Sequence, residues 1–133
     1  MIVVDANVLL PYILKNEATE SVQSLRRRDA VWRFPLLWRH EVASGLIKYA
    51  AAGRYSREEI ARQYKRALEL FSPGELPVPD AAALDFAMRK GLSAYDAAYA
   101  AMAHELGTAL VTFDQALVRK AGPPAILLQD FLA

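Results

Sequence analysis

The sequence predicts an α/β fold of three layers, α/β/α, with helices on both faces of a mostly parallel central sheet of about four to five strands. Three observations carry this expectation. Short apolar, often β-branched runs recur along the chain: IVV at 2–4, AVWRF at 30–34, ALVTF at 109–113 and AILLQ at 125–129. Segments with helical apolar spacing separate them. That alternation of strands with helices implies crossover connections, hence a mostly parallel sheet covered on both faces.

Each element has a local reason. Asn7 is a candidate N-cap for ANVLLPYILK, in which Pro11 falls early enough to be tolerated. EATESVQSLRRR reads as an exposed helix, with Arg26, Arg27 and Arg28 as its solvated end at the negative pole of the dipole. Pro35 closes the second strand, and a helix runs from about Trp38 to Ala52, ended by Gly53. Ser56 and Glu59 make a capping box for SREEIARQYKRALELF. SPGELPVP (72–79) is too short to separate two domains, so residues 1–133 are expected to form one. Asp80 is read as the cap of DAAALDFAMRK, Ser93 as the start of SAYDAAYAAMAHEL and Asp114 as the start of DQALVRKA.

Composition narrows the function classes. The chain has 133 residues, 54% hydrophobic and 23% charged, enough apolar material for a real core. Its net charge is +1, so any nucleic-acid binding must come from a local basic patch rather than bulk charge. Absence of cysteine rules out disulfides and thiolate metal sites and suits a reducing compartment. The N-terminal run lacks a basic leader and is broken by Asp5, so it does not read as a signal peptide. No apolar run reaches the ~18 residues of a membrane span. A cytoplasmic protein without a membrane partner is the expectation.

Four acids lie where acids are costly. Asp5 directly follows IVV and Asp114 directly follows LVTF, just past the carboxyl ends of two expected parallel strands. That edge is where sites form in open α/β sheets. Glu41 and Asp96 fall in the first turns of helices, flanked by small residues: Ser44 and Gly45 after the former, Ala100 and Ala103 after the latter. Each has an ordinary structural explanation: an Asx turn at Asp5, a favourable dipole end at Glu41, a capping box from Ser93 to Asp96, an N-cap at Asp114. Together they call for something more, because clustered carboxylates repel and their pKa values rise unless a cation joins them. Hard divalent ions such as Mg²⁺ or Mn²⁺ take oxygen donors of this kind, with water completing the shell.

The motifs DANVLL, Glu41 on a mid-chain helix, SAYDAAYAAMA around Asp96 and LVTFDQAL around Asp114, in this order, resemble those of PIN-domain ribonucleases. More narrowly, they are similar to the VapC-type toxins of prokaryotic toxin–antitoxin pairs. The resemblance spans nearly the whole chain. It implies a PIN-like fold and a divalent-metal-dependent endoribonuclease, with Asp5, Glu41, Asp96 and Asp114 lining one pocket that holds one or two ions. Asp5 and Asp96 are the expected direct ligands, with Asp114 and Glu41 completing the pocket or acting through water, and Glu41 also a candidate proton acceptor. Asn7 and Thr112 match polar positions beside the pocket that support the ligands or position water. The implied products carry a 5′-phosphate and a 3′-hydroxyl. Some relatives have a further acid shortly after the last one, whereas Leu117 follows here in DQAL.

Arg39, His40, Arg89, Lys90, Arg119 and Lys120 are the candidate contacts to RNA phosphates, the last four equally explained as complements to helix C-termini. His104 reads as a cap or surface residue, and Trp32, Trp38 and the tyrosines as core or interface. Leu46, Ile47 and Tyr49 suggest a homodimer face. The resemblance implies a homodimer too, and a small VapB-like antitoxin whose arginine could enter the acidic pocket. Two rivals are distinguishable. A phosphate-accepting receiver domain would need adjacent acids after the first strand, and Ala6 stands beside Asp5. A non-catalytic PIN-like RNA- or protein-binding module would not need the four acids intact.

Overall fold

The structure, a computed structural model, describes residues 1–133. Strand β1 (Ile2–Val4) is buried at every position and occupies the centre of a five-stranded sheet. Around it lie β2 (Trp32–Pro35), β3 (Glu75–Leu76), β4 (Leu110–Thr112) and β5 (Ala125–Leu127). Their spatial order is β3-β2-β1-β4-β5, and every pairing is parallel. The central strands β1 and β4 are buried at every position because helices cover both faces, giving the expected three layers.

The helices are α1 (Ala6–Ile13), α2 (Thr19–Arg28), α3 (Trp38–Ala51), α4 (Arg57–Phe71), α5 (Asp80–Lys90), α6 (Ala94–Leu106), α7 (Gln115–Ala121) and α8 (Leu128–Leu132). Helix α6 packs on β1, β2 and β4, with α5 laid along it. Its middle, Ala97 to Ala103, is buried without a break, since five alanines let neighbouring backbones come close all round. Gly45 does the same for α1 and α3: a Cβ there would run into the Leu10 side chain. Trp32, Trp38, Phe34 and Phe71 form an aromatic cluster under α4, so both tryptophans are core residues as expected. No helix is long and apolar enough to cross a membrane.

Local readings fare unevenly. The Ser56–Glu59 capping box is present in full. Gly91 and Gly107 take left-handed conformations that end α5 and α6. Asn7, expected as a cap, lies inside α1; Asp5 holds the cap position instead. Asp80 likewise falls inside α5, after Pro79, and caps nothing. The loop at 72–79 hides β3, which pairs Glu75 and Leu76 with Phe34 and Pro35. The last apolar run divides at Leu127 into β5 and α8.

Candidate active site

Register places the site. Val3 pairs with Leu110 and Val4 with Val111, so the next residues, Asp5 and Thr112, emerge side by side at the carboxyl edge of β1 and β4. The Asp5 N–H still donates to the Val111 carbonyl at 3.0 Å, which fixes the height of the carboxylate. Thr112 Oγ1 donates to Asp5 Oδ2 at 2.7 Å and accepts from Asn7 Nδ2 at 3.2 Å and from the Asp114 N–H at 3.0 Å. The hydroxyl thereby uses its one donor and both acceptors. Asn7 Oδ1 in turn accepts from the Phe113 N–H at 3.3 Å, tying α1 to the end of β4.

Asp114 caps α7 by accepting from the Leu117 N–H at 3.0 Å through Oδ1 alone. The ordinary capping role and a place in the site therefore coexist in one carboxylate. Ser93 caps α6 by accepting from the Asp96 N–H at 3.1 Å. Asp96 does not return a bond to close a box, so its carboxylate is left for the cleft.

Asp5, Glu41, Asp96 and Asp114 all line one open cleft of about 750 Å³. It is walled by His40, Ser44, Gly45 and Lys48 of α3 and by Ser93 and Tyr95 at the start of α6. Burial pushes the Asp5 carboxyl up to about 6; the Thr112 hydrogen bond opposes this, and the charges of Asp96 and Asp114 add to it. Burial likewise pushes Glu41 up to about 7, with Tyr99 opposing and Asp5 and Asp96 adding. Asp96 is raised by its own burial and by Asp114, against Ser93 and the nearby Lys120. Tyr99, buried beside Glu41, has its hydroxyl held well above its usual range by burial and by the Glu41 and Asp5 charges. Glu41 Oε1 and Tyr99 Oη are both buried without a hydrogen-bond partner in good geometry. The two face one another, since the Tyr99 hydroxyl is the hydrogen-bond donor that holds Glu41 down.

The donor set suits a hard divalent ion: oxygen only, with the carboxyls of Asp5, Glu41 and Asp96 raised together. No three acidic or histidine side chains are drawn into a ready-made ligand set. Mg²⁺ does not require one, since it commonly takes one or two protein carboxylates and keeps several waters.

The candidate RNA contacts are dispersed. Arg39 is held by Glu75 in a two-pronged pair, Nε to Oε2 at 2.9 Å and Nη2 to Oε1 at 2.6 Å, and is turned to the base of β3. Arg89 pairs with Asp85 on its own helix at 2.7 Å, and Arg89 and Lys90 lie away from the cleft wall. Arg119 is exposed and also outside it, whereas Lys120 lies close enough to lower Asp96. His40 is on the cleft wall as expected. Sequence reasoning missed Lys48, Ser44, Ser93 and Tyr95 as cleft residues. The signal was present for α3, because residues 41, 44, 45 and 48 share a helical face. Of the suggested dimer face, Leu46 is core, Tyr49 is partly covered by Tyr55, and only Ile47 is widely exposed.

The model of the PIN domain family matches residues 2–123. Over 125 residues the chain is 30% identical to a protein of Pyrobaculum aerophilum named Ribonuclease VapC3, covering 90% of this chain and 93% of that one. Among solved structures it is similar to PAE2754 from Pyrobaculum aerophilum, with TM-score 0.75, 28% identity and 98% and 92% of the two chains covered. A chain of a toxin–antitoxin complex from Klebsiella pneumoniae shares the fold at TM-score 0.71 and 17% identity, covering 96% of this chain and 98% of that one.

Proposed function

The chain belongs to the PIN-domain family, and from that premise we propose that it is a divalent-metal-dependent endoribonuclease, the toxin of a VapBC-type toxin–antitoxin pair. The observation that carries the reading is the convergence of Asp5, Glu41, Asp96 and Asp114 on one cleft. Asp5 and Asp96 would hold Mg²⁺ or Mn²⁺, one or two ions, with Asp114 and Glu41 as further ligands directly or through water. Such an ion supplies charge stabilisation at the phosphate and a bound water of lowered pKa.

The chain's own groups do the positioning. Thr112 holds one oxygen of Asp5 and so fixes the carboxylate at the cleft floor. Asn7 fixes Thr112, and the cap bond orients Asp114. Glu41, which lines the cleft, would accept the proton of the attacking water, its carboxyl pushed up to about 7. Water adds to phosphorus, the bond to the 3′-oxygen breaks, and the products carry a 5′-phosphate and a 3′-hydroxyl. The site of action is the cytoplasm.

Two partners follow from the same reading. An antitoxin would plug the carboxylate cleft with an arginine. A second copy of this chain would cover apolar side chains left in water, Ile47 and, on α5, Leu84 and Met88.

The absence of a ready-made ligand set favours one other reading, a PIN-like module that binds RNA or protein without cutting it. Incubation with a circular RNA decides between them. An endoribonuclease linearises the circle in Mg²⁺ or Mn²⁺ and not in EDTA. A purified, inhibitor-free chain that leaves the circle intact under every metal is the binding module.

A further inference from the structure

Two side chains that line the cleft from different helices, α3 and α6, remain without a role, Lys48 and Tyr95. Lys48 stands seven residues after Glu41 on α3, two turns along the same face and about 10 Å further along the axis. It is exposed, in no ion pair, and the only lysine or arginine lining a cleft that holds four acids. Tyr95 immediately precedes Asp96; the residue is 63% exposed and its ring stacks on no other ring. A polyanion approaching this acidic floor is repelled unless the walls hold it. The lining offers one lysine and one bare aromatic face, with Lys120 of α7 close by at Asp96.

Resting on the ribonuclease reading, we infer that Lys48 and Tyr95 grip unpaired RNA across the cleft, Lys48 on a phosphate beyond the cut and Tyr95 under a base. A base can lie on the Tyr95 ring only when it is free of its neighbours in a helix, which an unpaired strand allows and a duplex does not. A single strand bends in, and its free bases stack on aromatic rings whatever their sequence. Lys48 also complements the dipole of α3, but that role is confined to the helix and leaves RNA affinity alone.

The test is steady-state cleavage of a fluorescein-labelled unpaired RNA, and of the same strand annealed to its complement, across a KCl series. The enzymes are wild type, Lys48→Ala, Lys48→Arg, Tyr95→Ala and Tyr95→Phe, all changes at exposed positions. Lys48→Ala should raise KM with kcat little changed and flatten the dependence of log(kcat/KM) on log[KCl] by about 0.7 to 1; Lys48→Arg restores the slope. Tyr95→Ala should raise KM roughly five- to hundredfold without altering the slope, and Tyr95→Phe should behave as wild type. The duplex should be a poor substrate. Unchanged KM and slope in Lys48→Ala, a loss in Tyr95→Phe equal to that in Tyr95→Ala, or a duplex cut as fast as the single strand overturns the grip while leaving the ribonuclease standing. A wild type that cuts neither RNA overturns both.

Discussion

Thr112 at the end of β4 donates its hydroxyl to Asp5 at the end of β1, 2.7 Å away, in a buried contact between residues 107 apart in the chain. The neighbouring strands bring them together, and the hydroxyl serves two further donors, Asn7 Nδ2 and the Asp114 N–H. Thr112→Val keeps the shape and removes all three bonds. Buried groups left unpaired cost about 1–3 kcal/mol, and the Asp5 carboxylate loses its orientation. Urea denaturation should show that loss, and RNA cleavage should fall with it, whereas Thr112→Ser should restore most of both.

The raised carboxyls make metal-free stability depend on pH in an unusual direction. Asp5 titrates near 3.8 unfolded and about 6 folded, and Glu41 near 4.5 unfolded and about 7 folded. An acid whose folded pKa is the higher binds more protons when folded. Stability therefore falls as pH rises through the window from about 4 to 7. Asp96, raised by its burial and by the Asp114 charge, reinforces the trend, while Lys120 opposes it there. Glu75 has the opposite sign: Arg39 holds its carboxyl below 4.5, so its contribution is lost only as pH drops beneath that. Thermal melts in EDTA should decline from about pH 5 to pH 7. Added Mg²⁺ should reverse the decline, because an ion that binds only the folded state stabilises it. A flat profile would mean that the carboxyls are not crowded as described.

Glu75 is the anchor of β3. It accepts from the Trp38 indole N–H at 2.9 Å as well as from Arg39. Glu75→Ala strands the indole of a fully buried tryptophan and should destabilise by about 1–3 kcal/mol. Glu75→Gln keeps an acceptor for the indole and should lose less. Arg39→Ala should change the melt only slightly, as half-exposed ion pairs do, and should leave the salt dependence of RNA cleavage as it was, because this guanidinium is already occupied. Chemical melts beside KCl titrations of activity separate these outcomes.

Much of this arrangement was legible in the sequence, for identifiable reasons. Apolar runs such as IVV and LVTF are read as buried strands from their lack of alternation, and the acid after each run then marks the sheet edge. The Ser56 and Glu59 pairing is local, so its cap bonds follow from spacing alone. What was not legible depends on distant partners. Glu75 and Leu76 become a strand only because β2 leaves an open edge, and Gly74 fits there because a Cβ would meet the Trp32 carbonyl. Asn7 has the chemistry of a cap, yet its amide is drawn to Thr112 and Phe113, and no local pattern shows that competition. AILLQ is a short apolar run of the kind in which strand and helix cannot be told apart by periodicity. Arg39 beside Glu41 reads as a phosphate contact until Glu75 arrives from another element to pair with it.

The central claim is that four carboxylates from separate elements act as one metal-dependent nuclease site. Its most direct measurement is the rate of RNA cleavage by Asp96→Asn against wild type in saturating Mg²⁺, with melts recorded on the same preparations. Asp96 is half-buried and its backbone N–H, not its carboxylate, completes the cap of α6, so the variant should fold. A fall of at least about a hundredfold in rate with the melt preserved is the predicted result. A folded Asp96→Asn that cuts RNA as fast as wild type would contradict the account.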